Sequence, residues 1–144
     1  MLVSVIIPTY NRKNLLDISI KSVLNQRYQN FEIIIVDDNS NDGTDDYIKR
    51  LNHDKIQYIK NKETMYAPTS RNIGIFHSKG DLIAFLDDDD EWYPDKLEKQ
   101  VKLFQDSDVG LVYGGIDLFF EDYSLSYPTS PELKGDIYKN MFKY

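Results

Sequence analysis

Apolar residues along this chain fall into two alternating patterns. Leu2–Pro8 (LVSVIIP), Phe31–Asp38 (FEIIIVDD) and Asp81–Leu86 (DLIAFL) are short, nearly unbroken apolar runs, as expected of strands covered on both faces. Lys55–Ile59 (KIQYI) alternates like a short strand, and Val109–Tyr113 (VGLVY) reads as another. Between these runs the period lengthens. Leu16, Ile20, Val23 and Leu24 share one helical face and predict a helix over Asn14–Asn25. After the loop Asn39–Gly43 (NSNDG), a second helix is predicted over Thr44–Leu51. A third is predicted over Pro68–His77, with the proline tolerated in the first turn and Gly80 near the stop. Leu97, Val101 and Phe104 predict a fourth over Pro94–Gln105, and a short helix is expected over Ile137–Tyr144.

Strand alternating with helix predicts an α/β fold, a Rossmann-like and mostly parallel sheet with helices on both faces. The chain has 144 residues, the size of a single domain. In such sheets ligands bind outside the carboxyl ends of the strands. That rule gives the acids a place. Asp37 and Asp38 end one strand and Asp87–Asp90 end another, so both clusters are expected to face one crevice.

Charge narrows the partners. A formal net charge of −7 opposes a nucleic-acid surface, which needs a Lys/Arg footprint. An anionic small ligand would need a local basic group, helix N-termini or a bridging cation. Cysteine is absent and there are two histidines, so a bound metal is expected to be hard and oxygen-ligated. No apolar run reaches the roughly 18 residues of a membrane span, and the N-terminus reads as a strand rather than a signal peptide. A cytoplasmic location follows as the expectation.

Four adjacent carboxylates, Asp87–Asp90, repel one another unless solvated or compensated. A solvated loop is one reading. An EF-hand is another: from Asp87, acidic residues recur at Asp89, Glu91, Asp95 and Glu98, but Trp92 stands where that loop needs glycine. The third is a divalent cation shared with a phosphate ligand, since Mg2+ or Mn2+ is held by one or two carboxylates plus phosphate oxygens and water.

Four segments then occur in a recognisable order: SVIIPTYNR (Ser4–Arg12), IIIVDDNSNDGT (Ile33–Thr44), TSRNIGI (Thr69–Ile75) and GDLIAFLDDDD (Gly80–Asp90). From Ser4 to about Tyr113 the chain resembles family 2 glycosyltransferases, inverting enzymes of the GT-A fold that use nucleotide-diphospho-sugars. The resemblance implies that Pro8 and Tyr10 pack on the nucleobase and that Asp38 accepts a hydrogen bond from the uracil imide. The alternative for Asp38 is a cap on the next helix or an Asx-turn. Arg71 would lie near the diphosphate. Asp87, Asp88 and Asp89 match the D-x-D motif, with Asp89 the metal ligand and Asp87 or Asp88 reaching the ribose or water on the metal. Asp90 would order the turn, and Trp92 and Tyr93 are the aromatics nominated near a sugar.

The implied enzyme transfers a sugar from a UDP-sugar to a saccharide or lipid-linked acceptor, with Mn2+ or Mg2+, in surface polysaccharide or glycolipid assembly. Peripheral contact with a membrane would come through such an acceptor. Residues 1–115 would form the nucleotide-sugar-binding half and residues 116–144 the start of an incomplete acceptor-side region. The general base is expected beyond Tyr144, so the chain reads as a truncated fragment liable to self-associate. The rival readings are a nucleotide-sugar and metal-binding module without transfer activity and a sugar nucleotidylyltransferase. The latter would carry a glycine-rich loop where this chain has PTYNRKN.

Overall fold

The computed structural model describes residues 1–119, 124–127 and 135. It contains β1 (Val3–Thr9), α1 (Lys13–Leu24), β2 (Phe31–Asp37), α2 (Thr44–Leu51), β3 (Ile56–Lys60), α3 (Tyr66–His77), β4 (Leu82–Phe85), α4 (Lys96–Leu103), β5 (Ile116–Phe119) and β6 (Ser124–Tyr127). The first four strands form one parallel sheet in the order β3-β2-β1-β4. Chain contacts divide the molecule into a unit over residues 1–101 and another over residues 102–144.

The strand order explains where a ligand can enter. Successive crossovers carry the chain from β1 out to β2 and β3, and α3 then returns it to the opposite side of β1, where β4 pairs. Loops leaving β1 and β4 therefore diverge at the carboxyl edge, the switch point at which open α/β sheets bind ligands.

Both faces of β1 and β2 are buried, as their apolar runs require. On one face Val3, Val5, Ile7, Ile33 and Ile35 pack with Leu16, Ile20 and Val23 of α1 and Ile48 of α2. On the other, α3 lies against β1 and β2, so closely that a Cβ on Gly74 would sit 2.4 Å from Cγ2 of Ile6. Glycine is needed there for close approach. Among the described residues β4 pairs with β1 alone; Leu82 and Ala84 pack against the core, while Ile83 and Phe85 are exposed.

Several boundaries differ from those expected. α3 begins at Tyr66 rather than Pro68, because the Asp38 carboxylate accepts the N–H groups of Met65 and Tyr66 at 2.7 and 2.8 Å. α4 covers Lys96–Leu103 rather than Pro94–Gln105. At its end, bonds from Gln105 to Lys102 and from Asp106 to Leu103 tighten the chain into turns. Val109–Tyr113 is not a strand. Leu111 and Tyr113 are exposed, and the antiparallel ladder forms instead between β5 and β6, with Ile116 opposite Tyr127. An apolar run exposed at alternate positions gains too little burial to favour an extended strand there. The helix expected over Ile137–Tyr144 lies outside the described residues.

Candidate functional site

At the switch point the strand ends enclose an open cavity of about 320 Å³. β1 and its loop contribute Pro8, Thr9, Tyr10 and Arg12; the end of β2 contributes Asp38; α3 contributes Ala67, Ser70 and Arg71; and the loop after β4 contributes Asp87, Asp88 and Asp89. Pro8, Tyr10, Asp38, Arg71, Asp87, Asp88 and Asp89, all singled out from sequence, thus line one space. Tyr10 is half exposed and available to a planar ligand.

The loop after β1 is held to the loop after β2. Asn11 adopts a φ of 53°, a left-handed conformation that asparagine tolerates better than most residues. Its N–H donates to Ser40 Oγ at 2.8 Å, and its Oδ1 accepts the Asn41 N–H at 2.8 Å.

Asp38 is 5% exposed. Its Oδ1 accepts Asn61 Nδ2 at 2.8 Å, the Met65 N–H and, more weakly, Ser70 Oγ at 3.5 Å, while Oδ2 accepts the Tyr66 N–H. Burial alone would push this carboxyl up; the N–H of Met65, the Asn61 amide, the N–H of Tyr66 and the Ser70 hydroxyl outweigh it, and the pKa lies below the ordinary carboxylate value. Asp38 does cap a helix, but that helix is α3 rather than the next one, α2. One bond from Tyr66 leaves Oδ2 with accepting capacity toward the cavity.

Asp37 does not share this role. It is fully buried; Oδ1 accepts the Ser40 N–H at 2.7 Å and Oδ2 accepts the Tyr58 hydroxyl. The expectation that both acids of β2 face the crevice therefore fails for Asp37. Strand alternation points adjacent side chains to opposite sides.

The acid loop resolves its repulsion in pieces. Arg71 pairs with Asp87. Thr9 Oγ1 donates to Asp88 Oδ2 at 2.7 Å, and Arg12 Nη1 reaches Asp88 Oδ1 at 3.2 Å and Asp89 Oδ2 at 2.8 Å. Asp90 carries no such cation, and burial followed by the charges of Asp89 and Asp87 raises its pKa.

The turn itself is fixed from α1 and the residues just after it. Ser19 Oγ donates to the Asp90 carbonyl at 2.7 Å. Gln26, 1% exposed, donates through Nε2 to the Tyr93 carbonyl at 2.8 Å and accepts the Leu97 N–H through Oε1 at 3.0 Å.

Thr9, Arg12, Ser19, Gln26, Asn61 and Ser70 are contributors that the sequence reading assigned no role. A signal existed for one of them: Ser19 is polar and buried on the helix whose apolar face is formed by Leu16, Ile20 and Val23. Trp92 departs from expectation in the other direction. It is buried in the core cluster, with Lys96 Nζ 4.5 Å from its ring centroid, and does not line the cavity. Tyr93 is exposed but is not among the cavity's walls either.

The loop offers carboxylate oxygens to a hard cation, and the side chains of Asp87 and Asp89 remain 51% and 49% exposed; one or two such carboxylates, with water and phosphate oxygens, are the donor set of Mg2+ or Mn2+. Among the described residues no three His, Cys, Asp or Glu side chains converge to form a cage.

Comparisons with known proteins identify the family and the fold. The family model described as Glycosyl transferase family 2 matches residues 4–144. A curated relative, the UDP-Glc:alpha-D-GlcNAc-diphosphoundecaprenol beta-1,3-glucosyltransferase WfgD of Escherichia coli, is 35% identical over 117 residues, covering 81% of this chain and 46% of that protein. The chain thus spans about half the length of this relative. Among solved structures, S. aureus TarS 1–349 in complex with UDP-GlcNAc has a TM-score of 0.68 at 26% identity, over 73% of this chain and 31% of that one. The mannosyltransferase PcManGT of Pyrobaculum calidifontis, in complex with GDP-Man and Mn2+, has a TM-score of 0.69 at 28% identity, over 78% and 34%. The sheet is of the GT-A type, and the chain belongs to glycosyl transferase family 2.

Proposed function

We propose that this chain is the donor-binding part of a metal-dependent, inverting glycosyltransferase whose donor is a UDP-sugar. The observation that carries the reading is a single cavity joining Asp38 at the end of β2 to Arg71 and the acid loop after β4. That arrangement suits a ligand with a base at one end and a diphosphate at the other.

Tyr10 and Pro8 would pack on the uracil. Asp38 would accept its imide N–H through the capacity left on Oδ2, and its low pKa keeps it an acceptor at neutral pH. Arg71 would face the diphosphate. Asp88, buried and tied to Thr9, would fix the loop and lie toward the ribose, while Asp87 and Asp89 present their exposed carboxylates, with Asp89 holding the ion. Bound Mn2+ or Mg2+ would neutralise charge developing on the leaving diphosphate. We assign no described residue as general base. Residues 1–115 act as the donor half in this reading, and residues 116–144 begin the acceptor side.

WfgD is named for a UDP-glucose donor and a diphosphoundecaprenol-linked acceptor, which supports a UDP-sugar donor and a lipid-linked saccharide acceptor here. No helix among the described residues is long and apolar enough to cross a membrane; this part of the chain would meet such an acceptor at the membrane surface.

Calorimetric titration of UDP, CDP and GDP, each with Mn2+ and with EDTA, tests the reading. Asp38 facing the uracil imide predicts binding at least about tenfold tighter for UDP than for CDP, whose ring nitrogen offers no proton there. UDP is also expected to bind more tightly than GDP, and only with the metal. Equal affinity for all three would remove Asp38 from base recognition.

A further inference from the structure

We infer that Arg12 is a built-in counter-cation of the donor site, exchanged for the divalent ion on donor binding and then turned to the diphosphate. The inference rests on the proposed reading of Asp89 as a metal ligand.

The two arginines of the cavity are placed differently. Arg71, on α3, pairs with Asp87 and its side chain is 33% exposed. Arg12 stands on the β1 side and bridges two acids from one nitrogen, at 3.2 Å to Asp88 and 2.8 Å to Asp89. Its bridge therefore occupies one oxygen, Oδ2, of the carboxylate assigned to the ion. An ion on that oxygen takes the place of the guanidinium, and an ion on Oδ1 brings a like charge within a few ångströms of it, so ion binding weakens the Arg12–Asp89 pair and favours its release.

Release is mechanically simple because backbone and side chain are decoupled. Asn11, immediately before it, is clamped to Ser40 and Asn41, and the Arg12 carbonyl accepts the Leu16 N–H at 2.9 Å as α1 begins. The side chain, by contrast, is 51% exposed. A rotamer change suffices, and no loop has to move. Its destination is set by chemistry. Arg12 lines the same cavity as Arg71, and a freed guanidinium finds in a diphosphate the planar, multi-oxygen partner that it binds best.

Metal and nucleotide should therefore assist one another. Alone, the ion competes with Arg12; with the diphosphate present, the displaced guanidinium gains a new partner. The test is Mn2+ binding followed by electron paramagnetic resonance without nucleotide, and UDP binding by calorimetry at saturating Mn2+, on the wild type, Arg12→Gln and Arg12→Lys. Removing an exposed competing pair predicts about three- to fivefold tighter Mn2+ binding by Arg12→Gln without UDP. Loss of a charge-assisted phosphate contact predicts about tenfold weaker UDP binding in the same variant. Arg12→Lys, which keeps the charge, should stay close to the wild type for Mn2+ alone and fall between the two for UDP, and it serves if Arg12→Gln fails to fold. Mn2+ binding by Arg12→Gln that is unchanged or weaker would overturn the exchange, as would unchanged UDP affinity. With metal-dependent UDP binding intact in the wild type, either result leaves the donor-site reading standing; a wild type that binds UDP without regard to Mn2+ overturns both.

Discussion

The side-chain oxygen of Gln26 accepts the backbone N–H of Leu97 at 3.0 Å, across 71 positions of sequence. The same amide donates to the Tyr93 carbonyl, so one buried side chain just beyond α1 holds both ends of the segment that leads from the acid loop into α4. Gln26→Leu would strand the buried Leu97 N–H, at a cost of about 1–3 kcal/mol, while the Tyr93 carbonyl would keep the Lys96 N–H. Chemical denaturation should show the lost stability. Metal-dependent UDP affinity should fall as well, since the turn carrying Asp87–Asp90 loses its brace; a variant destabilised but binding UDP normally would confine Gln26 to packing.

Asp38 makes stability depend on pH in a definite direction. Its folded pKa is depressed, so its contribution is fully present above the ordinary carboxylate value of about 3.9 and is lost as pH falls through the lower folded value. Asp38→Asn removes that contribution. Its melting temperature should drop at neutral pH, by an amount matching about 2–3 kcal/mol for charge-assisted bonds to α3, and the gap from wild type should narrow below about pH 4. A gap that stays constant across pH would mean that ionisation of Asp38 does not support α3.

Gly74 sets the distance between α3 and the sheet. Valine there would place its Cβ 2.4 Å from Cγ2 of the fully buried Ile6, and overpacking of this kind costs about 1–3 kcal/mol. Because α3 also carries Ser70 and Arg71, displacement of the helix should weaken UDP binding together with stability. Equilibrium unfolding and UDP titration on Gly74→Val check both, and unchanged values in both would show that α3 has room to spare.

The fold was legible in sequence wherever hydrophobic pattern and burial coincide. Leu2–Pro8 and Phe31–Asp38 read as doubly covered strands because Val5, Ile7, Ile33 and Ile35 face one layer of helices while Ile6 and Ile34 face another. The pattern failed where burial did not follow it: Val109–Tyr113 is apolar yet exposed at Leu111 and Tyr113. The seven candidate positions of the site were likewise legible, since strand-end position and motif place them at one edge. What sequence could not show was partnership. Asp37 and Asp38 are neighbours with opposite fates, one bonded to Tyr58 and the other capping α3. Arg12 meets Asp88 and Asp89 only because β4 pairs beside β1.

The outer face of β4 gives a prediction about association. Ile83 and Phe85 are 41% and 49% exposed on a strand that, among the described residues, pairs with β1 alone, and exposed apolar edge strands recruit partners. Sedimentation velocity is expected to show concentration-dependent self-association of this chain, reduced in Ile83→Thr/Phe85→Thr. A monomer at all concentrations would leave this surface without consequence.

On the proposed reading the aspartates gather to hold a cation for a diphosphate. The direct test is calorimetric titration of UDP in Mn2+ on the wild type and Asp89→Ala. Binding is expected in the wild type, with a loss of about tenfold or more in the variant, the usual effect of removing a charged contact. Equal affinity in the two proteins, with or without Mn2+, would contradict it and return the four carboxylates to a solvated turn.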